Sequence, residues 1–306
     1  MRIARIAHED ATVRILVDVD GAVKMLAADA SRDVLSQLEH ASSLDPLPTR
    51  LKNLALEGSD LEGPIPGTWL TPVPVAEAWA CGVTFARQAK EHEDDLEKGG
   101  DSGRGLYDYV YASERPEVFF KGFGRTMVPH EGTVMLRSDS RLTMPEAEMV
   151  VVLGRGGVVL GFCSGNDLTA WDLEKECPLF LNQAKIWDGS GSLGPWMVLA
   201  ESGFDPYDVT LTCRVHRGDE VVLDSVGSTS GLRRSVPELV HYLRRHNSVP
   251  PFSVLFTGTV CVTPHEFTME SGDLVEVIAD DFGILSNHVL QFDPPAEPAP
   301  KPRIES

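Results

Sequence analysis

The chain is short of positive charge. It carries 27 lysines and arginines against 46 aspartates and glutamates, a formal net charge of −19. Nucleic acids and anionic membranes both need a basic footprint on their partner, so neither is expected here. Long hydrophobic runs are also missing. No stretch approaches the length of a bilayer crossing. The opening residues, MRIARIAHEDATVRI, have no apolar centre and carry charge throughout, unlike a secretory leader. Cysteine is scarce: five residues, at 81, 163, 177, 213 and 261, with no CxxC. That argues against a disulfide framework or a cysteine metal site and points to reduced thiols in a cytoplasmic protein. No GxSxG occurs, so a nucleophile-elbow serine has no support.

What is present is apolar residues in short pieces. Hydrophobic residues make up 42% of 306, enough for one large domain or two smaller ones. Residues 1–27 alternate (Ile3, Ile6, Val13, Ile15, Val17, then Val23, Met25) around Asp20-Gly21, a hairpin signal. Ser31 to His40 places Val34, Leu35 and Leu38 on one helical face. GSDLEGPIPGTWLTPVPVA, 58–76, is dense in glycine and proline. It predicts a boundary, with a small N-terminal domain over 1–75. Beyond it, Val118–Phe120, Val134–Leu136, Met149–Leu153, Val158–Phe162, Val209–Val215, Val221–Leu223 and Leu274–Ile278 read as strands with antiparallel connections. One helix interrupts them, SVPELVHYLRRH at 235–246, with Ser235 and Glu238 as a capping box and Pro237 in the first turn. The expected class is α+β, mainly β, with a second domain over 76–292 and a disordered Pro-rich tail over 293–306.

The stretch TMPEAEMVVVLGRGGVVLGFCSGNDLTAWD, 143–172, holds three acids around its most strand-like hairpin. Side chains two apart on a strand share a face, so Glu146 and Glu148 project together. Two adjacent carboxylates repel each other unless a cation neutralises them. GRGG at 154–157 lets the chain double back and return Asp167 to the same end of the sheet. Three oxygen ligands without histidine or cysteine suit Mg²⁺, Mn²⁺ or Ca²⁺ rather than Zn²⁺. The plainer alternative is a solvated strand edge with unrelated acids.

Other stretches are less specific. Gly189, Gly191 and Gly194 match GxGxxG, yet no apolar strand precedes them and Pro195-Trp196 stands where a helix should begin. A loop offering backbone N–H groups to a small anion fits better than a dinucleotide site. Lys185 is a lone lysine in a mostly uncharged stretch, for which surface solvation is the plain reading. The charged run 90–95 followed by KGGDSGRG predicts a mobile lid over 86–105.

Taken together, these segments resemble the fumarylacetoacetate hydrolase family. PEAEMVVVLG matches its ExE motif and GNDLTAWD its G-x-ND-x-S/T-x-R-D motif. QAKIWDGSGSLGP matches its K-x-x-D-x-x-x-x-x-GP motif and LFTGT its TGT motif, all in the family's order across roughly 79–290. The resemblance implies a mixed β-roll, a homodimer, and Mg²⁺ or a similar ion held by Glu146, Glu148 and Asp167. YVYASERPEVFFKG, LRSDSRLTMPEAE and DLEKECPLFLNQAKIWDGSGSLGP look like its 2-keto-3-deoxy-pentonate dehydratase branch. That branch removes water from a 2-keto-3-deoxy sugar acid.

The resemblance also implies roles. Lys185 serves as C3 base or steadies the enolate, and Glu117 in ERPEVFFK serves water loss, with a pKa raised behind Phe119 and Phe120. A lysine acting as base needs a depressed pKa, which burial and a nearby cation would supply. Gln183, Gly258, Thr259, Lys121 and Asp172 are assigned to the 2-keto acid substrate. The rival acid–base group is the lid, FARQAKEHEDD, through Glu91, His92 or Glu93. There Gln88 replaces the histidine that the hydrolase branch pairs with a glutamate, which favours elimination over C–C hydrolysis. Trp171 replaces the arginine of the RD pair, which points to a less polar or larger 2-keto acid. Two rivals remain: a hydrolase of acylpyruvate-type bonds, and a family member that binds small acids without turnover.

Overall fold

The computed structural model describes residues 1–61, 63–86, 105–200 and 203–294. Gln88, Glu91, His92, Glu93 and almost all of the expected lid lie outside these residues, as does the tail beyond 294.

Asp20 and Gly21 both take positive φ, 54° and 89°, the geometry of a two-residue hairpin turn. They join the antiparallel strands Val13–Val19 and Ala22–Met25. The first helix spans Ala28–His40, beginning before Ser31 on good helix formers, and buries Val34 and Leu38. A second helix, Leu47–Glu57, goes beyond the expected elements. Its Leu47, Leu51 and Ala55 recur every four residues and are buried, which is the pattern that marks it. The helix Val236–Arg244 is capped by Ser235, whose side chain accepts from the Glu238 N–H at 3.3 Å. The reciprocal half of the box is absent, because Glu238 is drawn to Arg234 at 2.7 Å.

Among the described residues, strands form two large sheets. The first contains thirteen strands. Its central run is Arg2–His8, Met197–Leu199, Val159–Asp167, Ala147–Leu153, Ser253–Thr259, Glu77–Gly82 and Glu117–Phe123. The second runs Glu220–Ser228, Thr210–Arg217, Leu274–Ala279, Gly283–Gln291 and Thr133–Leu136. The expected boundary at residue 75 does not interrupt the first sheet, since Arg2 and Ile3 pair with Val198 and Met197. Among the described residues three pairings are parallel, against the antiparallel expectation. They join Ser253–Thr259 to Glu77–Gly82, Gly191–Leu193 to Met127–Pro129, and Gly283–Gln291 to Thr133–Leu136. Each links segments far apart in the chain, which local turn spacing does not reveal.

The strand Ala147–Leu153 is buried throughout. Ala147, Met149, Val151 and Leu153 pack with Leu211, Val215 and Val277 of the second sheet. Val150 and Val152 pack on the other face with Ile3, Val34 and Leu38. Burial on both faces explains why this strand reads as a continuous apolar run. Each such side chain contributes roughly 1.5–3 kcal/mol. A glutamate in this strand therefore displaces a stabilising residue and must be compensated locally.

Residues 189–194 are not an anion loop. Gly191–Leu193 is a strand paired with Gly165–Asp167, and the neighbouring N–H groups of Ser190 and Gly194 donate to the Trp187 and Ser164 carbonyls. Those donors are spent within the fold.

Candidate active site

The strand Ala147–Leu153 pairs antiparallel with Val159–Asp167, placing Ala147 opposite Asn166 and Glu148 opposite Gly165. The hairpin closes with the Asp167 N–H donating to the Glu146 carbonyl at 3.0 Å, while Asn166 Oδ1 accepts from the Glu146 N–H at 3.0 Å. Register thus brings the three acids together. One carboxylate oxygen from each of Glu146, Glu148 and Asp167 lies within 4.8 Å of the others. Glu148 and Asp167 are each 1% exposed, which removes the solvated-edge alternative.

Glu148 is compensated by the strand beside it. Its Oε2 accepts from the Gly258 N–H at 2.7 Å. Gly258 holds φ +99°, and a Cβ there would lie 2.0 Å from Thr84 Oγ1, so glycine alone fits. Thr257 and Thr259 donate their hydroxyls to the Met149 and Ala147 carbonyls at 2.8 and 3.1 Å. The TGT segment therefore clamps the glutamate's strand and turns one N–H onto its carboxylate. Even so, burial and the charges of Asp167 and Glu146 push the Glu148 carboxyl well above its ordinary range.

Lys185, on the short helix Leu181–Lys185, is 5% exposed rather than solvated. Its Nζ donates to Thr169 Oγ1 at 2.6 Å, Glu146 Oε2 at 3.0 Å and Asp167 Oδ2 at 3.3 Å. Thr169 in turn donates to Glu146 Oε1 at 2.6 Å. Burial alone would lower the Lys185 ammonium, but Asp167, Glu146, Glu174 and Glu148 outweigh it and hold it well above its ordinary value. Three donor bonds to oxygens favour the ammonium form of Lys185, and the depression expected from the sequence rests on a cation beside it.

Around these groups lie two connected chambers. The inner one, about 50 Å³, is walled by the triad, Lys185, Gly258 and Thr259. The outer one, about 230 Å³, adds Leu106, Val110, Lys175 and Pro178. Val83, Tyr107, Glu117, Trp171, Glu174 and Leu181 line both and form the junction. Burial raises the Glu117 carboxyl, against the pull of Lys185, in the direction expected from the sequence. Burial also raises Glu174, to about 7. Glu174 Oε1 accepts from the Tyr107 hydroxyl at 3.0 Å.

The structure brings Glu117, Glu146, Glu148, Asp167, Lys185, Gly258 and Thr259 to one cavity. It places three others elsewhere. Lys121 is fully buried behind Asp167 and donates to the carbonyls of Leu168 at 3.1 Å, Ser190 at 2.9 Å and Lys185. Asp172 accepts from Ser140 Oγ at 2.6 Å and the Arg141 N–H at 2.9 Å, which ties down a loop. Gln183 is exposed and its carbonyl accepts from Arg137 at 3.2 Å. Glu174 and Tyr107 were beyond the sequence reading. One signal existed: Trp171 and Glu174 are three apart on the helix Trp171–Glu176 and so share a face.

The donor set fits a hard divalent cation. Glu146, Glu148 and Asp167 bring three carboxylate oxygens together in a buried site, where burial and the neighbouring acids disfavour the charged form of Glu148 and a cation would restore it. Oxygens bound to one such ion at 2.0–2.6 Å lie at most roughly 4–5 Å apart, as these do.

The family model for the C-terminal region of fumarylacetoacetate hydrolase matches residues 78–290. Over 220 residues, 71% of this chain and 73% of the relative, the sequence is 39% identical to a Haloferax volcanii protein named "probable 2-keto-3-deoxyxylonate dehydratase". Over 214 residues, 70% of this chain and 72% of the relative, it is 34% identical to the 2-dehydro-3-deoxy-D-arabinonate dehydratase of Saccharolobus solfataricus. A solved structure of 2-keto-3-deoxy-D-arabinonate dehydratase complexed with magnesium and 2,5-dioxopentanoate matches with a TM-score of 0.78 at 26% identity. That match covers 95% of this chain and 99% of the other.

Proposed function

This chain belongs to the fumarylacetoacetate hydrolase family, and we propose that within it the protein is a Mg²⁺-dependent dehydratase acting on a 2-keto-3-deoxy sugar acid. The observation that carries the reading is the cavity itself, where Glu117, a carboxyl of raised pKa, lines the same space as the triad and Lys185. Water loss needs one proton taken from C3 and one given to the leaving hydroxyl, next to a centre that accepts electron density. The magnesium and 2,5-dioxopentanoate in the related dehydratase support the same chemistry. The acylpyruvate-hydrolase reading rests on Glu91 and His92, outside the described residues.

Glu146, Glu148 and Asp167 hold the ion. Once bound, it draws electron density from the ketone oxygen of the 2-keto acid and makes the C3 protons more acidic. The Lys185 ammonium, fixed by Thr169, stands beside the triad and steadies negative charge developing on the substrate's oxygens. Glu117 takes the C3 proton and protonates the C4 hydroxyl as it leaves. Its carboxyl lies against Gly82, where a Cβ would come within 2.2 Å of Oε2. Any larger residue at position 82 would push Glu117 out of place. Gly258 and Thr259 wall the inner chamber on the substrate side.

The reading includes a homodimer in the cytoplasm. Val226, Thr212, Ile278 and Ile284 stand in register across the second sheet, with Val226 and Ile284 exposed. Such a row supports an apolar face for a second copy. Among the described residues no helix is long and apolar enough to cross a membrane. Sedimentation giving a monomer at every concentration would remove the dimer and leave the chemistry intact.

The function is tested by incubating the Mg²⁺-loaded protein with 2-keto-3-deoxypentonates and with acylpyruvates, followed by mass spectrometry. Loss of one water from the sugar acids is expected, abolished by chelator and restored by Mg²⁺ or Mn²⁺. Cleavage of the acylpyruvates without any dehydration would transfer the protein to the hydrolase branch.

A further inference from the structure

Losing water from a 2-keto-3-deoxypentonate is only half of the route to a 2,5-dioxo acid. Breaking the C3–H and C4–O bonds forms a C3=C4 double bond conjugated to the ketone, giving 5-hydroxy-2-oxopent-3-enoate. To reach 2,5-dioxopentanoate, a proton must leave C5. Its electron pair makes C4=C5, and the former C3=C4 pair moves toward the ketone to give a dienolate. A proton then returns to C3, and the resulting C5 enol passes its hydroxyl proton to C4. Atoms balance with no oxidant or reductant. The second half therefore needs a proton-transferring group one carbon further from the ketone than the first.

Two carboxyls, Glu117 and Glu174, line both chambers at the junction and reach it from different elements. Glu117 comes from the strand Glu117–Phe123, and its neighbours Cys81, Gly82 and Phe119 line only the inner chamber. Glu174 comes from the helix Trp171–Glu176, and the adjoining Lys175, with Leu106 beside Tyr107, lines only the outer chamber. Both carboxyls border both chambers, Glu117 from the element that walls the inner one and Glu174 from the element that walls the outer one. Glu174 Oε1 is fixed by the Tyr107 hydroxyl at 3.0 Å, while its Oε2 is buried with no hydrogen-bond partner among the described residues. A buried carboxylate oxygen without a partner is costly unless it has a use.

Building on the dehydratase reading, we infer that Glu174 is a second catalytic residue, which moves the C5 proton and converts the enone into the dialdehyde-type product, with Tyr107 as its positioning residue. The outward side of the junction is where C5 falls when the 2-keto acid head faces the triad. A carboxyl held near 7 by burial accepts and returns a proton with similar ease at neutral pH.

The test uses the Mg²⁺-loaded protein, a 2-keto-3-deoxypentonate, ultraviolet absorbance for the conjugated enone, and trapping of 2,5-dioxopentanoate. Glu174→Gln should still release water, accumulate the enone, and form 2,5-dioxopentanoate at least about 10²-fold more slowly. Tyr107→Phe should raise the enone-to-product ratio in the same direction by a smaller factor, which keeps the test open if Glu174→Gln folds poorly. Parent-like product formation without enone in both variants overturns the role of Glu174 and leaves the dehydratase reading standing. A parent protein that releases no water from any pentonate overturns the dehydratase reading and this inference with it.

Discussion

Two lysines flank Asp167 from opposite sides, and they are bound in different ways. Lys121, behind the site, is 0% exposed and lies 2.6 Å from Asp167 Oδ1. Its three N–H donors go to the carbonyls of Leu168, Ser190 and Lys185. Burial lowers its ammonium, against the raising pull of Asp167. Lys185, in front, bonds to Thr169 and to two carboxylates that also wall the cavity, and it is held well above its ordinary value. Carbonyls cannot change charge or leave, so Lys121 is locked to the backbone. Carboxylates can be shared with a cation and a substrate, so Lys185 stays available to the reaction. One aspartate is thus fixed from the rear and used from the front.

The comparison breaks most visibly at Lys121. Lys121→Met leaves Asp167 without its rear counter-charge and three buried carbonyls without donors. Losing one partner of a buried ion pair costs about 3–5 kcal/mol. Urea denaturation should show a loss of that size, and an unchanged midpoint would erase the distinction between the two lysines. Lys185→Met should also lower the urea midpoint, since Lys185 is itself a buried ion-pair partner of Glu146 and Asp167, but it should still bind Mg²⁺ by calorimetry while turnover drops by about 10²-fold or more. A Lys185→Met protein that turns over normally would return the chemistry to the lid around Glu91.

Glu174 sharpens the contrast between front and rear through pH. Its carboxyl rises from an ordinary 4.5 to about 7 on folding. Between those values the folded state holds a proton that the unfolded state has lost. Stability of the metal-free protein should therefore fall as pH rises from about 4.5 through about 7, then level off. The slope from this one group is at most about 1.4 kcal/mol per pH unit. Glu174→Gln should flatten that part of the profile. A profile identical in parent and variant would show that Glu174 titrates normally.

How much of this was legible in the sequence depends on distance along the chain. The triad was, because strand periodicity and a tight turn operate within about twenty residues. The expectation of a boundary at residue 75 rested on composition alone. A proline-rich stretch signals an irregular segment, and it cannot report that Arg2 and Ile3 pair across it with Val198 and Met197. Lys121 read as a substrate contact because its neighbours resemble a dehydratase segment. Only the packing of residues 168, 185 and 190 around it reveals a backbone anchor.

The sequence by itself determined that Glu146 and Glu148 share a face and that Asp167 returns beside them. Those are consequences of local geometry, which residue order dictates directly. Tertiary structure alone decided which lysine faces the cavity and that Glu174 meets Tyr107 from a helix 67 positions away. It also decided that Glu117, from a strand, and Glu174, from a helix, meet at one junction. The reason is physical: a side chain's charge state and reach depend on what surrounds it, and those surroundings come from segments the chain brings together only when its core closes.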